Sequence, residues 1–525
     1  MTETFRGQRG AALVAIAALL ALALVVSLTA AIARSATGPG RAAASDRTLA
    51  LAREALIAHA ASRPLDEIVG PGYLPCPDLD DDGWAEPTCG SMTGETGQWQ
   101  RLGRLPWKTL GLPDLRDAYG ERLWYAVSSK HKGLLNCRVS PACLDMGPEA
   151  AIGTITVRDA AGTVLHDGTS ASAYEPGKGG AAAVIIAPGP PLARWSGLGA
   201  PAALQVRSCE GGRCNAAGHC LTEPPTLTPK CDPANYLDRA PGPAFSDEDN
   251  ARFVDRNDAA GRPGNRDGFI LGPVAAHDGT VWVNDRLAVV SYDDLMPRVM
   301  RRVAEEVAAC LRGYATRPEN HGRLPWAAPL CRSRAADPSW RWSEGSGVHF
   351  GRVPDTPFLA AGRDGGATML PRWQPGCRIA EATGETAGVH GHAWWNAWKR
   401  HVFYSVAPAG SPATAAATAC DPLTCVFVAD DAGGPVPPGH RFAVLVAGPP
   451  LLFDVGRQSR GALADGDARE WLEGANSDLR RLNANPAAPD CDADPSIPAG
   501  PAAPSFNRVA TVATRTRNDV VVVGP

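Results

Sequence analysis

The sequence predicts an α+β fold in which an N-terminal transmembrane helix carries two tandem lobes, each a helix followed by a mainly antiparallel β-sheet with disulfide-rich loops. Three observations predict it: an uncharged apolar run at residues 11–33, a set of landmarks that occurs twice, and fourteen cysteines. At 525 residues, 44% of them hydrophobic, the chain has the length of two or three domains. A net charge of -4 without a basic stripe argues against nucleic acid as a partner.

The apolar run at residues 11–33 is long enough to cross a membrane. Its 23 residues carry no charge, and a helix of that length spans a hydrocarbon core of about 30 Å. A cleaved secretory signal is the alternative, because Ala31-Ile32-Ala33 matches a cleavage site, but such signals have apolar regions of only ~7 to 15 residues. Arginines flank the run on both sides, so the positive-inside rule does not set its orientation.

The cysteines indicate an oxidising compartment. Their number is even and no paired C-x2-C zinc knuckle occurs, so disulfides outside the cytoplasm are expected. Connectivity stays open at this point, with local pairs as the simplest expectation. These pairs are Cys76 with Cys89, Cys137 with Cys143, Cys310 with Cys331, and Cys420 with Cys425.

Five landmarks recur in the same order along the chain. They are "GRLPW" at 103–107 and 322–326, "RLWYAVSS" at 122–129 with "HVFYSVAP" at 401–408, "CRVSPAC" at 137–143 with "CDPLTC" at 420–425, "AVIIAPGPPL" at 183–192 with "AVLVAGPPL" at 443–451, and "NDRLAVV" at 284–290 with "NDVVVV" at 518–523. The alignment places Tyr125 opposite Tyr404. We therefore expect two tandem repeats, residues 41–292 and residues 293–525.

Each repeat begins with a helical pattern and continues with strands. Val299, Val303, Val307 and Leu311 recur every four residues, which predicts an amphipathic helix over 293–314, and a similar stripe predicts one over 41–61. The runs "TITVRD", "AVIIA", "FAVLVA" and "DVVVV" are typical of strands. Residues 209–268 and 485–505 are rich in Pro, Gly, Asp and Cys and are predicted to be loops.

The stretch "RGQRGAALVAIAALLALALVV" consists of a short basic leader that ends in glycine and an apolar segment that follows it directly. This N-terminus resembles that of minor pilins and pseudopilins of type IV pilus and type II secretion systems. The block from "YLPCPD" to "RLWYAV", residues 73–127, also looks like the region after the helix in these proteins. The resemblance implies that the two lobes are pilin-like.

The resemblance also implies processing, partners and a location. A prepilin peptidase would cut between Gly10 and Ala11, leaving residues 11–33 as the transmembrane helix with a methylated Ala11 amine. The chain would be a single-pass inner-membrane protein whose C-terminal bulk lies in the periplasm or on an extracellular filament. Its partners would be the inner membrane, the peptidase, other pilins or pseudopilins, and the assembly platform.

Two departures from the family pattern favour a particular place in the filament. Ala11 replaces the usual aromatic residue or Met, and Ala15 replaces the usual Glu, which in major pilins is thought to meet a neighbour's terminal amine. A subunit without that carboxylate, carrying two bulky lobes, suits the tip or the initiating complex. An adhesin-like binding module on a membrane stem, and an anchored enzyme of unrecognised type, are the alternatives. Because no G-x-S-x-G elbow, P-loop or H-E-x-x-H occurs, we do not expect an enzyme.

One stretch suggests a calcium site. Asp78, Asp80 and Asp82 precede Gly83 in "DLDDDG", as at the opening of an EF-hand loop, and oxygen ligands suit this cation. The twelfth position of the loop is Cys89 rather than Glu, so Glu86 and backbone carbonyls would have to complete the shell. Calcium is therefore the one possible cofactor, and a solvated acidic turn inside a Cys76–Cys89 loop is the alternative.

A second stretch, "VHGHAWWNAWKRH", contains three histidines, His390, His392 and His401. Two of them, His390 and His392, lie one residue apart, and on a strand they would face the same side, as some metal ligands do. The adjacent tryptophans at 394, 395 and 398 favour a packing role instead.

Overall fold

The computed structural model describes residues 38–63, 71–90, 98–132, 153–168, 177–195, 203–207, 231–240, 249–252, 268–328, 330, 349–354, 377, 379, 395, 398–412, 420, 424–429, 435–450, 452–453, 456–458, 468–473, 476, 505–507 and 519–524. The predicted leader and apolar run, residues 1–33, lie outside these ranges. Within them, no helix is both long enough and apolar enough to cross a membrane. The fold is α+β, with mostly antiparallel sheets.

Two α-helices occur in the described residues, and both were predicted. Helix α1 spans Gly38–Ser62 and ends just before Arg63-Pro64, since a residue that precedes proline disfavours the helical conformation. Helix α2 spans Tyr292–Ala315 and begins with a capping box between Ser291 and Asp294. The valine and leucine stripe predicted for α2 is fully buried.

Each repeat contributes a series of short strands. In the first they are β1 (Leu102–Arg104), β2 (Trp124–Val127), β3 (Thr156–Arg158), β4 (Val164–His166), β5 (Ala183–Ala187), β6 (Ala193–Arg194), β7 (Ala203–Leu204), β8 (Gly268–Ile270), β9 (Val274–Ala275), β10 (Val281–Val283) and β11 (Arg286–Val290). In the second they are β12 (Phe350–Arg352), β13 (Val402–Val406), β14 (Val426–Ala429), β15 (Pro435–His440), β16 (Phe442–Val446), β17 (Leu452–Phe453), β18 (Gly456–Arg457), β19 (Ser505–Asn507) and β20 (Val520–Gly524). Short 3₁₀ turns connect several of them.

The two repeats have the same sheet topology. The main sheet has the order β1-β2-β5-β11 in the first repeat and β12-β13-β16-β20 in the second, and every pair in both is antiparallel. A smaller sheet has the order β4-β3-β8 in one repeat and β15-β14-β19 in the other. In each smaller sheet one pair is antiparallel and the other parallel. The duplication therefore includes a secondary sheet as well as the main one.

The strand register corrects one predicted correspondence between the repeats. Tyr125 pairs with Gly103 on β1, whereas Tyr404 pairs with Gly351 on β12, so β1 corresponds to β12. The Tyr125 hydroxyl donates to the carbonyl of Pro75 at 3.0 Å, and the Tyr404 hydroxyl donates to that of Pro325 at 3.0 Å. The second "GRLPW", residues 322–326, therefore matches "GYLPC" at 72–76, and aligning it with the first "GRLPW" was wrong.

The predicted alignment was wrong because two positions in the repeats are equivalent when they pair with equivalent strands. Identical sequence letters do not ensure this. The first "GRLPW" includes part of β1, whereas the second precedes β12 by more than twenty residues. The isolated bridges agree, because Asp78 lies opposite Arg104 and Ala328 lies opposite Arg352. Ala328 is thus the second-repeat counterpart of Asp78.

The two helices join both repeats into one hydrophobic core. Helix α1 packs on β5 and β11, α2 packs on β16 and β20, and the helices pack on each other. Residues of both repeats, such as Leu56 on α1, Val303 on α2 and Val444 on β16, belong to one buried cluster. An ion pair of 2.8 Å between Glu54 and Arg298 also crosses between the helices. The repeats are therefore two halves of a single packed body.

The disulfides match two of the four predicted pairs. Cys76 is bonded to Cys89 and Cys420 to Cys425, as expected from their proximity in sequence. The pairing of Cys310 with Cys331 was wrong, because Cys310 on α2 is bonded to Cys377. Loop closure favours the nearer cysteine only weakly, and packing places the Cα atom of Cys377 5.2 Å from that of Cys310. Residues 137, 143 and 331 lie outside the described ranges.

Candidate functional site: an acidic turn and two buried acid clusters

The acidic turn at residues 78–86 is organised by its own first carboxylate. Asp78 is buried, and its two oxygens accept the N–H of Asp82 at 3.2 Å and that of Gly83 at 2.7 Å. Gly83 has a φ of +88°, and a Cβ atom there would lie 2.7 Å from the Trp107 ring. The glycine is therefore required both by the backbone conformation and by the close approach of the indole.

Three of the four predicted calcium ligands lie together. Carboxylate oxygens of Asp78, Asp80 and Glu86 lie within 4.8 Å of one another. Asp82 does not belong to this group, and its carboxylate instead accepts the N–H of Trp84 at 2.8 Å. An all-oxygen set of this kind matches the ligand preference of calcium, with three side chains rather than four.

Burial and repulsion by neighbouring carboxylates make two carboxyls of this group, Asp78 and Glu86, hard to ionise. Burial raises the pKa of Asp78 to about 7, which neighbouring carboxylates reinforce and the N–H of Gly83 opposes. Burial likewise raises the pKa of Glu86. A bound cation would relieve this repulsion, whereas protonation does so without one.

A disulfide, an ion pair and a hydrogen bond also hold the acidic turn in place. The Cys76–Cys89 disulfide encloses it, Arg122 pairs with Asp81 at 2.8 Å, and Lys108 donates to the carbonyl of Asp82. This geometry fits either a calcium site or an acidic turn that the protein's own groups hold together without a cation. Because Ala328 stands at the position of Asp78, the second repeat has no counterpart of its first ligand.

A buried acid cluster lies at the start of β11 in the first repeat, and sequence comparison did not find it. It consists of Gln205, Asp238, Asn250 and Asp285, all less than 5% exposed. Asp285 accepts the backbone N–H of Asp238 at 2.8 Å and the side-chain amide of Asn250 at 2.9 Å. Asp238 in turn accepts the amide of Gln205 at 3.0 Å. We call these four residues the first acid cluster.

The second repeat contains the same arrangement at the start of β20. This second acid cluster consists of Gln458, Glu473, Asn476 and Asp519, all buried. Asp519 accepts the backbone N–H of Glu473 at 2.9 Å and the amide of Asn476 at 3.2 Å. Gln458 lies 3.5 Å from Glu473, as Gln205 lies beside Asp238. Each strand start therefore holds a distant loop in place through a carboxylate.

The held loops share a short sequence signal. "YLD" at 236–238 and "WLE" at 471–473 each follow a 3₁₀ turn, Pro233–Asn235 in one and Ala468–Glu470 in the other. Their aromatic rings contact equivalent arginines, since Arg104 lies 4.2 Å from the Tyr236 ring centre and Arg352 lies 5.1 Å from that of Trp471. The wider patterns "NYLDRA" and "EWLEGA" were the signal available in the sequence.

The chemistry of the acid clusters suits a structural role. Burial raises the pKa of Asp238 to about 6, and burial together with the charge of Asp238 raises the pKa of Asp285 well above its ordinary value. Each carboxyl accepts backbone and amide donors, Asp285 through its Oδ2 atom, and neither is open to solvent. Hydrogen bonding of this kind suits the fastening of a loop.

The tryptophan-rich stretch also has a packing role in its described part. Trp395 and Trp398 are fully buried, as the packing interpretation predicts. His401 is buried with its ring edge against Trp471, 5.1 Å between ring centres. His390 and His392 lie outside the described residues.

Comparison of the chain with protein-family models, with curated proteins and with solved structures finds no match. The chain is therefore classified by the features of its own structure. It is an α+β chain of two structurally equivalent repeats that share one core, fastened by disulfides and by a buried acid cluster in each repeat.

Proposed function

We propose that the chain is a membrane-anchored, pilin-like structural component of a type IV pilus or type II secretion filament, placed at the tip or in the initiating complex. Its role is assembly rather than catalysis. Its partners are the inner membrane, a prepilin peptidase, other pilins or pseudopilins and the assembly platform. The bulk of the chain lies in the periplasm or on an extracellular filament.

The observation that carries the proposal is the junction between the apolar run and the first helix. Only four residues, 34–37, separate residue 33 from the start of α1. Helix α1 then packs its buried stripe along an antiparallel sheet. A basic leader, an apolar span and a helix laid on a sheet follow one another in the order that the resemblance to minor pilins implies.

Two further features support the proposed compartment and the proposed position in the filament. Disulfides such as Cys76–Cys89 suit an oxidising compartment outside the cytoplasm. The shared core joins the two repeats into one body on a single stem. A subunit with two joined repeats suits the end of a filament better than a close-packed helical shaft.

Genetic complementation in the native cells tests the proposal. Deleting the gene should abolish filament assembly or filament-dependent secretion, and wild-type protein should restore it. Gly10→Val should fail to restore it because the leader cannot be removed, whereas the matched change Gly7→Val in the same leader should succeed. Normal filaments and secretion in the deletion strain would contradict the proposal.

A further inference from the structure

One loop of the first repeat, residues 114–122, is fastened to the first turns of α1. The hydroxyl of Ser45 accepts the N–H of Ala118 at 3.1 Å, and the guanidinium of Arg41 lies 5.3 Å from the ring centre of Tyr119. Both Arg41 and Tyr119 are exposed, Tyr119 by 42%. The loop at 114–122 therefore lies at the end of the repeat where α1 begins.

The acidic turn adjoins this loop. Arg122 pairs with Asp114 at 3.0 Å and with Asp81 at 2.8 Å, which ties the loop to the turn. Trp84 in the turn is 55% exposed, an unusual state for so large an apolar side chain. We call the surface formed by residues 38–46, 79–86 and 114–122 the proximal rim.

The length of chain before α1 limits how far the proximal rim can be from a membrane. The four residues 34–37 span at most about 14 Å when fully extended, at ~3.5 Å per residue. The headgroup layer on each side of a bilayer accounts for roughly 5–7 Å of that distance. With residues 11–33 in the membrane, the start of α1 lies at or just above the headgroups.

We propose that the proximal rim rests on the lipid headgroup layer of the membrane that holds the chain's own apolar span, with Tyr119 and Trp84 as interfacial anchors. This inference rests on the membrane anchor in the proposed function. Tyr and Trp are enriched at this depth because their rings are apolar at one end and polar at the other. Arg41, exposed beside the Tyr119 ring, is placed to pair with a lipid phosphate, and Arg116, which pairs with Asp114 at 2.7 Å, is exposed in the same loop as Tyr119.

The mixed charges of the proximal rim indicate which forces would hold it on the lipid headgroups. Carboxylates such as Asp80 and Glu86 lie on the same surface as the arginines, so the rim has no uniform positive field. Its attraction to lipid therefore depends on the two rings and on local arginine–phosphate pairs, and not on a high content of anionic lipid.

Site-specific photocrosslinking of the full-length protein tests the inference. Benzoylphenylalanine is placed at Tyr119 in one chain and at Leu51 in a matched control, and each protein is reconstituted in vesicles of phosphatidylethanolamine and phosphatidylglycerol. Leu51 is 50% exposed on α1, and it lies about 15 Å further along the helix axis than Arg41. Lipid adducts should form at Tyr119 several-fold more often than at Leu51.

An alkaline carbonate wash separates the two ways in which the inference can fail. Equal labelling at both positions, in protein that stays in the vesicles after washing, would overturn the membrane contact and leave the anchor intact. Removal of the protein from the vesicles by the wash would overturn the membrane anchor. The contact between the proximal rim and the headgroups would then be overturned as well.

Discussion

Asp285 and Asp519 show how one carboxylate can fix a distant loop. Each precedes the last strand of its main sheet and accepts a backbone N–H from a segment 46 or 47 residues away in sequence. Removing such an acceptor leaves buried donors unsatisfied, which costs about 1–3 kcal/mol for each. The equivalent position of the two acids in the repeats indicates that each contributes to the folding of its own repeat.

The raised pKa of Asp238 predicts a pH dependence of stability. An unfolded Asp ionises near ~3.9, whereas Asp238 in the folded protein has a pKa of about 6. Its contribution to stability therefore falls as the pH rises from about 4 to about 6 and then stays constant. The measurement is the unfolding midpoint of wild type and of Asp238→Asn across this range.

The comparison with the variant is essential because His59 acts in the opposite direction. Burial lowers the pKa of His59 to about 4, so its contribution to stability rises between pH ~4 and pH ~6.5. The quantity to examine is the difference between wild type and variant. As the pH rises from about 4 to about 6, wild type should lose stability relative to Asp238→Asn. A stability difference that does not change with pH would refute the raised pKa of Asp238.

The acidic turn predicts an effect of calcium on stability. If Asp78, Asp80 and Glu86 bind the cation in the folded state alone, a hundredfold excess over Kd stabilises the protein by ~2.7 kcal/mol. The full chain should then melt at a higher temperature with calcium than with chelator. Glu86→Ala should remove this shift, whereas Asp82→Ala should keep it because Asp82 lies outside the ligand group. Identical wild-type curves with calcium and with chelator would mean that the turn supports itself.

At the scale of elements, the equivalent tyrosines Tyr125 and Tyr404 hold the segment before the edge strand onto the sheet. Both are fully buried and each donates to a proline carbonyl at 3.0 Å. Tyr125→Phe and Tyr404→Phe should each destabilise the protein by about 1 kcal/mol, because each loses one buried hydrogen bond. Chemical unfolding of the two variants and of the double variant provides the test. An effect in only one repeat would argue against their equivalence.

Periodicity located the helices and several strands, but it did not determine how the repeats correspond. The stripe on α2 and the apolar runs of β5, β16 and β20 carry their own burial pattern, so local sequence was sufficient. The register of β1 and β12 depends on hydrogen-bond partners across the sheet, and identical letters in "GRLPW" misled the alignment. The first acid cluster draws its residues from positions 205, 238, 250 and 285, so the similarity of "NYLDRA" to "EWLEGA" marks the loop but does not show which distant residues meet there.

At the scale of the whole molecule, the shared core predicts cooperative unfolding of both repeats. The apolar faces of α1 and α2 that contact each other would be exposed in either half alone. Scanning calorimetry of the full chain should therefore give a single transition for residues 38–525, with equal calorimetric and van't Hoff enthalpies. Two separate transitions would show that the halves are independent domains.

In the proposed function, a prepilin-type N-terminus anchors the two joined repeats in a membrane. The most direct test is the intact mass of the mature protein extracted from native membranes, with sequencing of its first residues. We expect a mature chain that begins at Ala11 with a methylated amine and retains residues 11–33. A mature chain that begins at Arg34 would mean that the apolar run is a cleaved secretory signal, and would contradict the pilin-like assignment.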